Sequence, residues 1–278
     1  MKFLFIGGDA RMRYAAEKLS ENHEIAWLNG NEYSEGAFDA VVLPLPLTKD
    51  GRTVFAPAEQ SPTSFDALFE TLRGFADEHT LVLAGGENRA LSDICAKLGC
   101  KLINYFACET LTLQNAALTA EAALCLLSQS GGGALLGSEV LVAGSGRIAF
   151  FLAERLRACG AGVTFAARNK DKRELARLNG FAAVSLEELP GALPRFDYIA
   201  NTIPAPLFDE ALFAKMRKSS VYQELASLPE QPRKAFAERF GIKYTYAGGL
   251  PGKYSPKAAG EFIARTVEEI TIPDQTVK

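Results

Sequence analysis

Histidine is almost missing from this chain of 278 residues: His23 and His79 are the only two. Each lies beside acidic residues ahead of an expected strand, and neither has metal-ligand spacing, so a zinc centre is not expected. A Ser–His–Asp or Cys–His mechanism would have to draw on one of these two. The five cysteines, at 95, 100, 108, 125 and 159, contain no C-x-x-C pair. Cys95 and Cys125 sit in apolar helical patterns, where a reduced thiol acts as a small core hydrophobe. No sign of charge dominates either, with 30 Lys and Arg against 33 Asp and Glu. A net charge of −3 supplies no basic field for a nucleic-acid backbone or an anionic membrane. No apolar run reaches the roughly 20 residues of a bilayer span. Low-complexity tracts and short-period repeats are absent, and residues 1–8 read as a strand rather than a signal segment. A soluble cytoplasmic protein is the expectation.

What is present is an ordinary globular composition, 48% hydrophobic and 23% charged, at a length that suggests about two domains. Strands are expected at 2–6, 24–28, 40–43, 81–84 and 101–104, with helices at 10–20, 64–73 and 89–98. Such alternation gives right-handed βαβ units and a parallel sheet. A second run has strands at 139–143, 163–167, 198–201, 221–224 and 243–247. An Ala- and Leu-rich helix over 111–127 lies between the runs and ends at Ser130-Gly131-Gly132-Gly133, the expected hinge. The Pro-, Thr- and Gly-rich segment 44–62 is expected as a long loop, of the kind that often covers a binding site. The fold class is therefore α/β, with two Rossmann-like, doubly wound parallel-sheet lobes and a cleft between them. The boundaries are 1–111 for a substrate lobe, 112–133 for the interdomain helix and hinge, and 134–255 for a nucleotide lobe. A last helix over 256–270 is expected to pack back on the first lobe.

The strongest motif is Gly144-Ser145-Gly146-Arg147-Ile148-Ala149, a G-x-G-x-x-A directly after an apolar strand and opening a helix. Gly144 suits the tight turn, Gly146 the approach of a pyrophosphate, and Ala149 close helix–strand packing. The helix start then offers unpaired N–H groups to phosphate. An NAD site usually has an acid at the end of the next strand. Here Arg168, Asn169 and Lys170 stand there, which favours a 2′-phosphate and hence NADP. The earlier turn Gly7-Gly8-Asp9-Ala10-Arg11 lacks that spacing. Asp9 occupies the place of a phosphate and caps the helix itself, while Arg11 is free to hold a carboxylate. Loops Asn201-Thr202-Ile203-Pro204, Glu224-Leu225-Ala226-Ser227 and 247–257 follow later strands, where a nicotinamide and substrate wall is expected; the last is too rich in Gly and Pro for a strand and begins the final helix.

Together these segments resemble the dipicolinate synthase A-subunit family of spore-forming bacteria over essentially the whole chain. The resemblance rests on Ile6-Gly7-Gly8-Asp9-Ala10-Arg11, Asn115 to Glu121 with Thr119, Gly144-Ser145-Gly146-Arg147, Asn201-Thr202-Ile203-Pro204, Leu225-Ala226-Ser227, and Gly249-Leu250-Pro251-Gly252 leading to Pro256-Lys257. Two departures stand out: Leu228-Pro229-Glu230-Gln231 replaces a Pro-Gly-Gly, and Lys253-Tyr254 replaces small or apolar residues.

The resemblance implies NADP-dependent oxidation of a 4-hydroxy-tetrahydrodipicolinate- or dihydrodipicolinate-type intermediate to pyridine-2,6-dicarboxylate. It also implies a partner, the flavoprotein-like B-subunit of that synthase, and, by source, the mother cell of a sporulating bacterium. A homodimer is a further expectation. A dianionic substrate needs two clamps, for which Arg11 and Lys257 are the candidates, meeting across the cleft. Thr119 and Ser227 are candidate hydroxyl donors, and Asp9 or Glu121 a candidate proton acceptor. The cofactor contacts are expected from Gly144, Ser145, Gly146, Arg147, Ile148, Arg168, Asn169, Lys170, Thr202, Ile203, Pro204 and Ala226. Two alternatives stay open at this point. One is a two-lobed hydroxyacid or amino-acid dehydrogenase, although its usual late His is missing. The other is a non-catalytic, regulatory NADP(H)-binding protein.

Overall fold

The computed structural model describes residues 1–28, 37–57, 62–131 and 133–272. Part of the 44–62 loop and Gly132 of the expected hinge lie outside the described residues. The chain separates into two compact units, Met1–Asn115 with Ser255–Lys278, and Ala116–Tyr254.

The first unit is a five-stranded parallel sheet. Its strands are β1 (Lys2–Ile6), β2 (Glu24–Leu28), β3 (Ala40–Val42), β4 (Leu81–Ala84) and β5 (Lys101–Asn104), in the order β2-β1-β3-β4-β5. A parallel strand covered on both faces reads as a continuous apolar run, and Phe3, Leu4, Phe5 and Ile6 are all buried. Their alternation divides the core. Leu4 and Ile6 join Val41 and Val82 beneath α2 (Phe65–Arg73) and α3 (Arg89–Leu98). Phe3 and Phe5 join Val42 beneath α1 (Ala10–Leu19) and the last helix of the chain. Asp9, Ser64 and Asn88 cap α1, α2 and α3 by accepting a backbone N–H each.

The second unit is a six-stranded parallel sheet. Its strands are β6 (Glu139–Ala143), β7 (Gly162–Ala166), β8 (Ala182–Val184), β9 (Tyr198–Asn201), β10 (Val221–Glu224) and β11 (Lys243–Tyr246). The order β11-β10-β9-β6-β7-β8 starts in the middle, runs one way for two strands, then reverses. That is the order of a dinucleotide-binding doubly wound sheet, with its switch point between β6 and β9. The first unit has the flavodoxin-like order instead, with its switch point between β1 and β3. Val140 and Val142 face α4 (Glu109–Gln129) and α5 (Arg147–Ala158), while Leu141 and Ala143 face a cluster around Phe208, Phe213 and Tyr222 that includes residues of the short helices α7 (Leu189–Ala192) and α8 (Glu210–Phe213).

Five details differ from the sequence expectation. The boundary between the units falls inside α4, at Asn115–Ala116, whereas Gly131 and Gly133 lie within the second unit. An 18-residue window of the 21-residue α4 reaches a mean hydropathy of 1.2, enough by length and composition to cross a bilayer, contrary to the absence of such a run. Ala120, Ala123 and Leu127 nevertheless bury one face in the second unit's core, and Glu121 lies exposed on another, as in a core helix of a globular protein. Cys125 is exposed on that outer face and is no core residue, while Cys95 and Cys100 are buried. Strand β8 lies at a sheet edge, and part of the supposed loop 247–257 is a short helix, α10 (Leu250–Tyr254).

The last helix, α11 (Pro256–Thr271), completes the first unit by packing on α1. Gly260 makes this contact possible. A β-carbon there would come within 2.4 Å of the Arg11 carbonyl oxygen and 2.7 Å of the Tyr14 Cβ. Overpacking of a fixed backbone costs about 1–3 kcal/mol. Gly260→Ala should therefore lower the stability of the first unit by about that amount in chemical denaturation. An unchanged midpoint would mean that α11 does not rest on α1.

Candidate functional site

The carboxyl ends of β6 and β9 carry the second unit's most distinctive geometry. Gly144 has φ +121°, and a β-carbon on it would meet the Thr202 Oγ1 at 2.0 Å. Thr202 is held over the turn because its backbone N–H and its hydroxyl both donate to the Ala143 carbonyl, each at 2.8 Å. Gly146 is the opposite case. Its φ of −87° is ordinary, yet a β-carbon would meet nothing within 4 Å. It begins α5 with no side-chain cap, so the first N–H groups of a twelve-residue helix face an open space that only glycine leaves clear. That combination fits a phosphate group approaching the backbone. Ser145 and Ile148 are half-buried there, and Arg147 is exposed.

Beyond β7 the chain presents a basic turn. Arg168 and Lys170 are exposed, and the Arg173 Nη1 donates to the carbonyls of Ala167 at 2.8 Å and Arg168 at 2.7 Å, fixing the turn. Asn169, expected to meet the cofactor, uses its Oδ1 to cap α6 (Lys170–Leu178), accepting the Lys172 N–H at 3.0 Å.

The loops after β9 and β10 are tied to a buried charge that the sequence reading missed. Glu224 is fully buried at the end of β10. Its Oε1 accepts the Asn201 Nδ2 at 2.8 Å and the Ala226 N–H at 3.1 Å. Its Oε2 accepts the Tyr222 hydroxyl at 3.0 Å and lies 2.9 Å from the Arg233 Nε, on α9 (Arg233–Phe240). Burial pushes the Glu224 carboxyl up, against the opposing pull of Tyr222 and Arg233. Asn201 in turn accepts the Ile203 N–H at 3.0 Å. Hence Ile203 and Ala226 spend their N–H groups within the protein, and Thr202 its hydroxyl proton. Pro204 and Ser227 are exposed. One signal for this network was in the sequence: Gln223 and Glu224 stand in the expected strand 221–224, and a polar residue buried in a sheet must find partners.

In the first unit, Gly7 and Gly8 end β1 at the switch point, but their surroundings are filled. The Gly8 N–H donates to the Phe55 carbonyl at 2.6 Å, and a Gly7 β-carbon would meet the Val54 side chain at 2.9 Å. Arg11 is buried, with its Nε and Nη2 on the Asp9 carboxylate at 2.9 and 2.8 Å. The same carboxylate accepts the Arg11 backbone N–H at 3.0 Å. Asp9, offered as a proton acceptor, is thus committed to capping and to an ion pair. Arg11 also borders a cavity with Leu45, Asn115 and Ile263 that is too tight for a water molecule. Lys257 is exposed in the first turn of α11 and belongs to the same unit as Arg11. Thr119 is buried on α4 and Glu121 is exposed, the latter on the outer face already described.

Two parallel α/β units, one with the dinucleotide strand order, define a dehydrogenase-type architecture. The solved D-lactate dehydrogenase with NAD+ from Lactobacillus jensenii shares this fold at a TM-score of 0.62 and 12% identity, covering 98% of this chain and 96% of that one. The more specific likeness is to the A-subunit of dipicolinate synthase, in agreement with the sequence motifs. Residues 28–106 match the family model for the N-terminal domain of the dipicolinate synthase A-subunit. The dipicolinate synthase A-subunit of Bacillus subtilis (strain 168) is 29% identical, over 97% of this chain and 95% of its own. The crystal structure of the dipicolinate synthase A-subunit from Bacillus halodurans superposes with a TM-score of 0.86 at 25% identity, covering 98% of each chain.

The two glycines of the turn should respond oppositely to substitution. Gly144→Ala meets both Thr202 and a positive φ, with a combined cost of about 2–4 kcal/mol, and should lower the melting temperature. Gly146→Ala should melt as the native protein does yet lose dinucleotide binding by calorimetry. Retained binding in Gly146→Ala would remove this turn as the phosphate site.

Proposed function

We propose that this chain is an NADP-dependent oxidoreductase of the dipicolinate synthase type. Its substrate would be a dihydrodipicolinate-type ring, formed by loss of water from 4-hydroxy-tetrahydrodipicolinate, and its product pyridine-2,6-dicarboxylate. The observation that carries the reading is the open, uncapped Gly144–Gly146 turn at the switch point of a dinucleotide-ordered sheet. The full-length likeness to the dipicolinate synthase A-subunit supplies the substrate class.

A bound nicotinamide supplies the acceptor for the hydride that leaves the ring carbon, with a proton lost alongside. The chain binds and orients. The N–H groups at the start of α5 hold the pyrophosphate, and Arg168 with Lys170 holds the 2′-phosphate. In the first unit Arg11 grips a substrate carboxylate through the guanidinium edge that Asp9 does not use, and Asp9 keeps that guanidinium in place. Lys257 adds a point charge, which orients less than an Arg fork does. The natural partner is the flavoprotein-like B-subunit of the synthase, and the setting the cytoplasm of a sporulating mother cell.

The direct test is reduction of NADP⁺ on addition of freshly generated 4-hydroxy-tetrahydrodipicolinate, with and without the B-subunit. Turnover is expected. Binding of NADP(H) with no reduction under either condition would indicate a regulatory role, and reduction with simple 2-hydroxy acids instead would indicate a hydroxyacid dehydrogenase.

Cofactor choice gives a separate expectation. Arg168→Gln should weaken NADPH by about 1.5–3 kcal/mol, the worth of a hydrogen bond to a charged group, while leaving NADH unchanged. Equal losses for both cofactors would contradict the assignment of NADP.

A further inference from the structure

The two loops that follow β9 and β10 begin at Asn201 and Glu224, which are neighbours in register across the sheet. Their backbones are joined there, since the N–H groups of Leu225 and Ala226 both donate to the Asn201 carbonyl, at 2.8 and 3.1 Å. Glu224 Oε1 adds a second link by holding the Asn201 Nδ2 and the Ala226 N–H together. Asn201 Oδ1 continues the chain of contacts to the Ile203 N–H, and the intervening Thr202 lies against Gly144. One buried carboxylate thus fixes the shape of both loops and, through Thr202, borders the glycine turn. Arg233 neutralises that carboxylate from α9, with side-chain exposures of 4% for the Arg and none for the Glu.

A stability role alone would be a poor reason for this arrangement, because a buried ion pair is often no better for stability than an apolar pair of similar volume. Its position is more informative. In the dinucleotide strand order the two halves of the sheet each serve one mononucleotide. The half β6-β7-β8 ends in the glycine turn and Arg168. The half β9-β10-β11 ends in the loops that Glu224 ties together, so these serve the nicotinamide mononucleotide.

We propose that Glu224, held by Arg233 and acting through Asn201, is a positioning residue that shapes the nicotinamide half of the cofactor site. The inference rests on the dinucleotide reading given above. It assigns Glu224 no contact with the cofactor and no proton transfer.

The test compares ligands as well as variants. Glu224→Gln/Arg233→Met removes both charges but keeps an amide oxygen for Asn201 and Ala226. Glu224→Leu/Arg233→Met removes the charges and that oxygen. Calorimetry with NADPH, NADH and the fragment ADP-ribose reads the two halves of the site separately. In the Leu/Met variant both dinucleotides should weaken about tenfold, the effect of one hydrogen bond's worth of positioning, with ADP-ribose unchanged. The Gln/Met variant should recover most of that loss. Should the Leu/Met protein fail to fold, Asn201→Ala cuts the same link with both charges in place and should show the same ligand-selective loss. Equal weakening of fragment and dinucleotide, or none in a folded variant, would overturn the positioning role while leaving the cofactor reading intact. A native protein that binds neither dinucleotide would overturn both.

Discussion

Parallel strands leave their carboxyl ends as the one rim where backbone groups, loops and helix starts converge, and everything functional in this chain hangs on how that rim is filled. At the switch point of the first unit the protein fills it with itself. Phe55 takes the Gly8 N–H, Val54 crowds Gly7, and Asp9 caps α1. At the switch point of the second unit it leaves a gap, since α5 begins without a side-chain cap and Gly146 faces open space. A helix N-terminus without a side-chain cap presents backbone donors and a partial positive charge. The contrast between two similar glycine turns is the physical ground for reading the second unit, and not the first, as the one that takes a nucleotide.

The same physics explains why acidic groups lie where they do. Asp9 brings its own carboxylate to a position where a phosphate would otherwise sit, and pairs it with Arg11. Glu224 is also buried at a strand end, but it points its oxygens at loop donors rather than at a helix start. Desolvation makes an unpaired carboxylate costly, so each is supplied with a cation and at least one backbone N–H. The outcome is two rims, one whose helix start is already occupied by its own carboxylate and one whose helix start is left open.

Much of the fold was legible because both faces of the sheets are covered. Runs such as Phe3-Leu4-Phe5-Ile6 and Val140-Leu141-Val142-Ala143 can hardly be anything but buried parallel strands, and Asp9 reads as a cap; Ser64, expected inside a helix, and Asn169, expected at the cofactor, cap α2 and α6 instead. Strand β8 was missed since Ala182, Ala183 and Val184 at a sheet edge carry little apolar signal. Helix α10 was missed because Leu250-Pro251-Gly252 has loop composition, although Pro is tolerated in a first helical turn. Cys125 was placed inside by composition, whereas the phase of α4 turns it out with Glu121. The glycine turn was legible as a motif, but its openness was not, because it depends on which atoms surround Gly146. The Glu224–Arg233 pair was hidden for a similar reason: nine positions separate the partners, and only the folded chain shows that the carboxylate has no access to water.

The central claim is that a phosphorylated dinucleotide lies on the open rim of the second unit. It is tested most directly by following backbone amide resonances of the labelled protein during titration with NADPH. The account predicts the first and largest shifts at residues 144–148 and 168–170, with smaller ones at 202–204. Shifts confined to the first unit, or none at saturating NADPH, would contradict it.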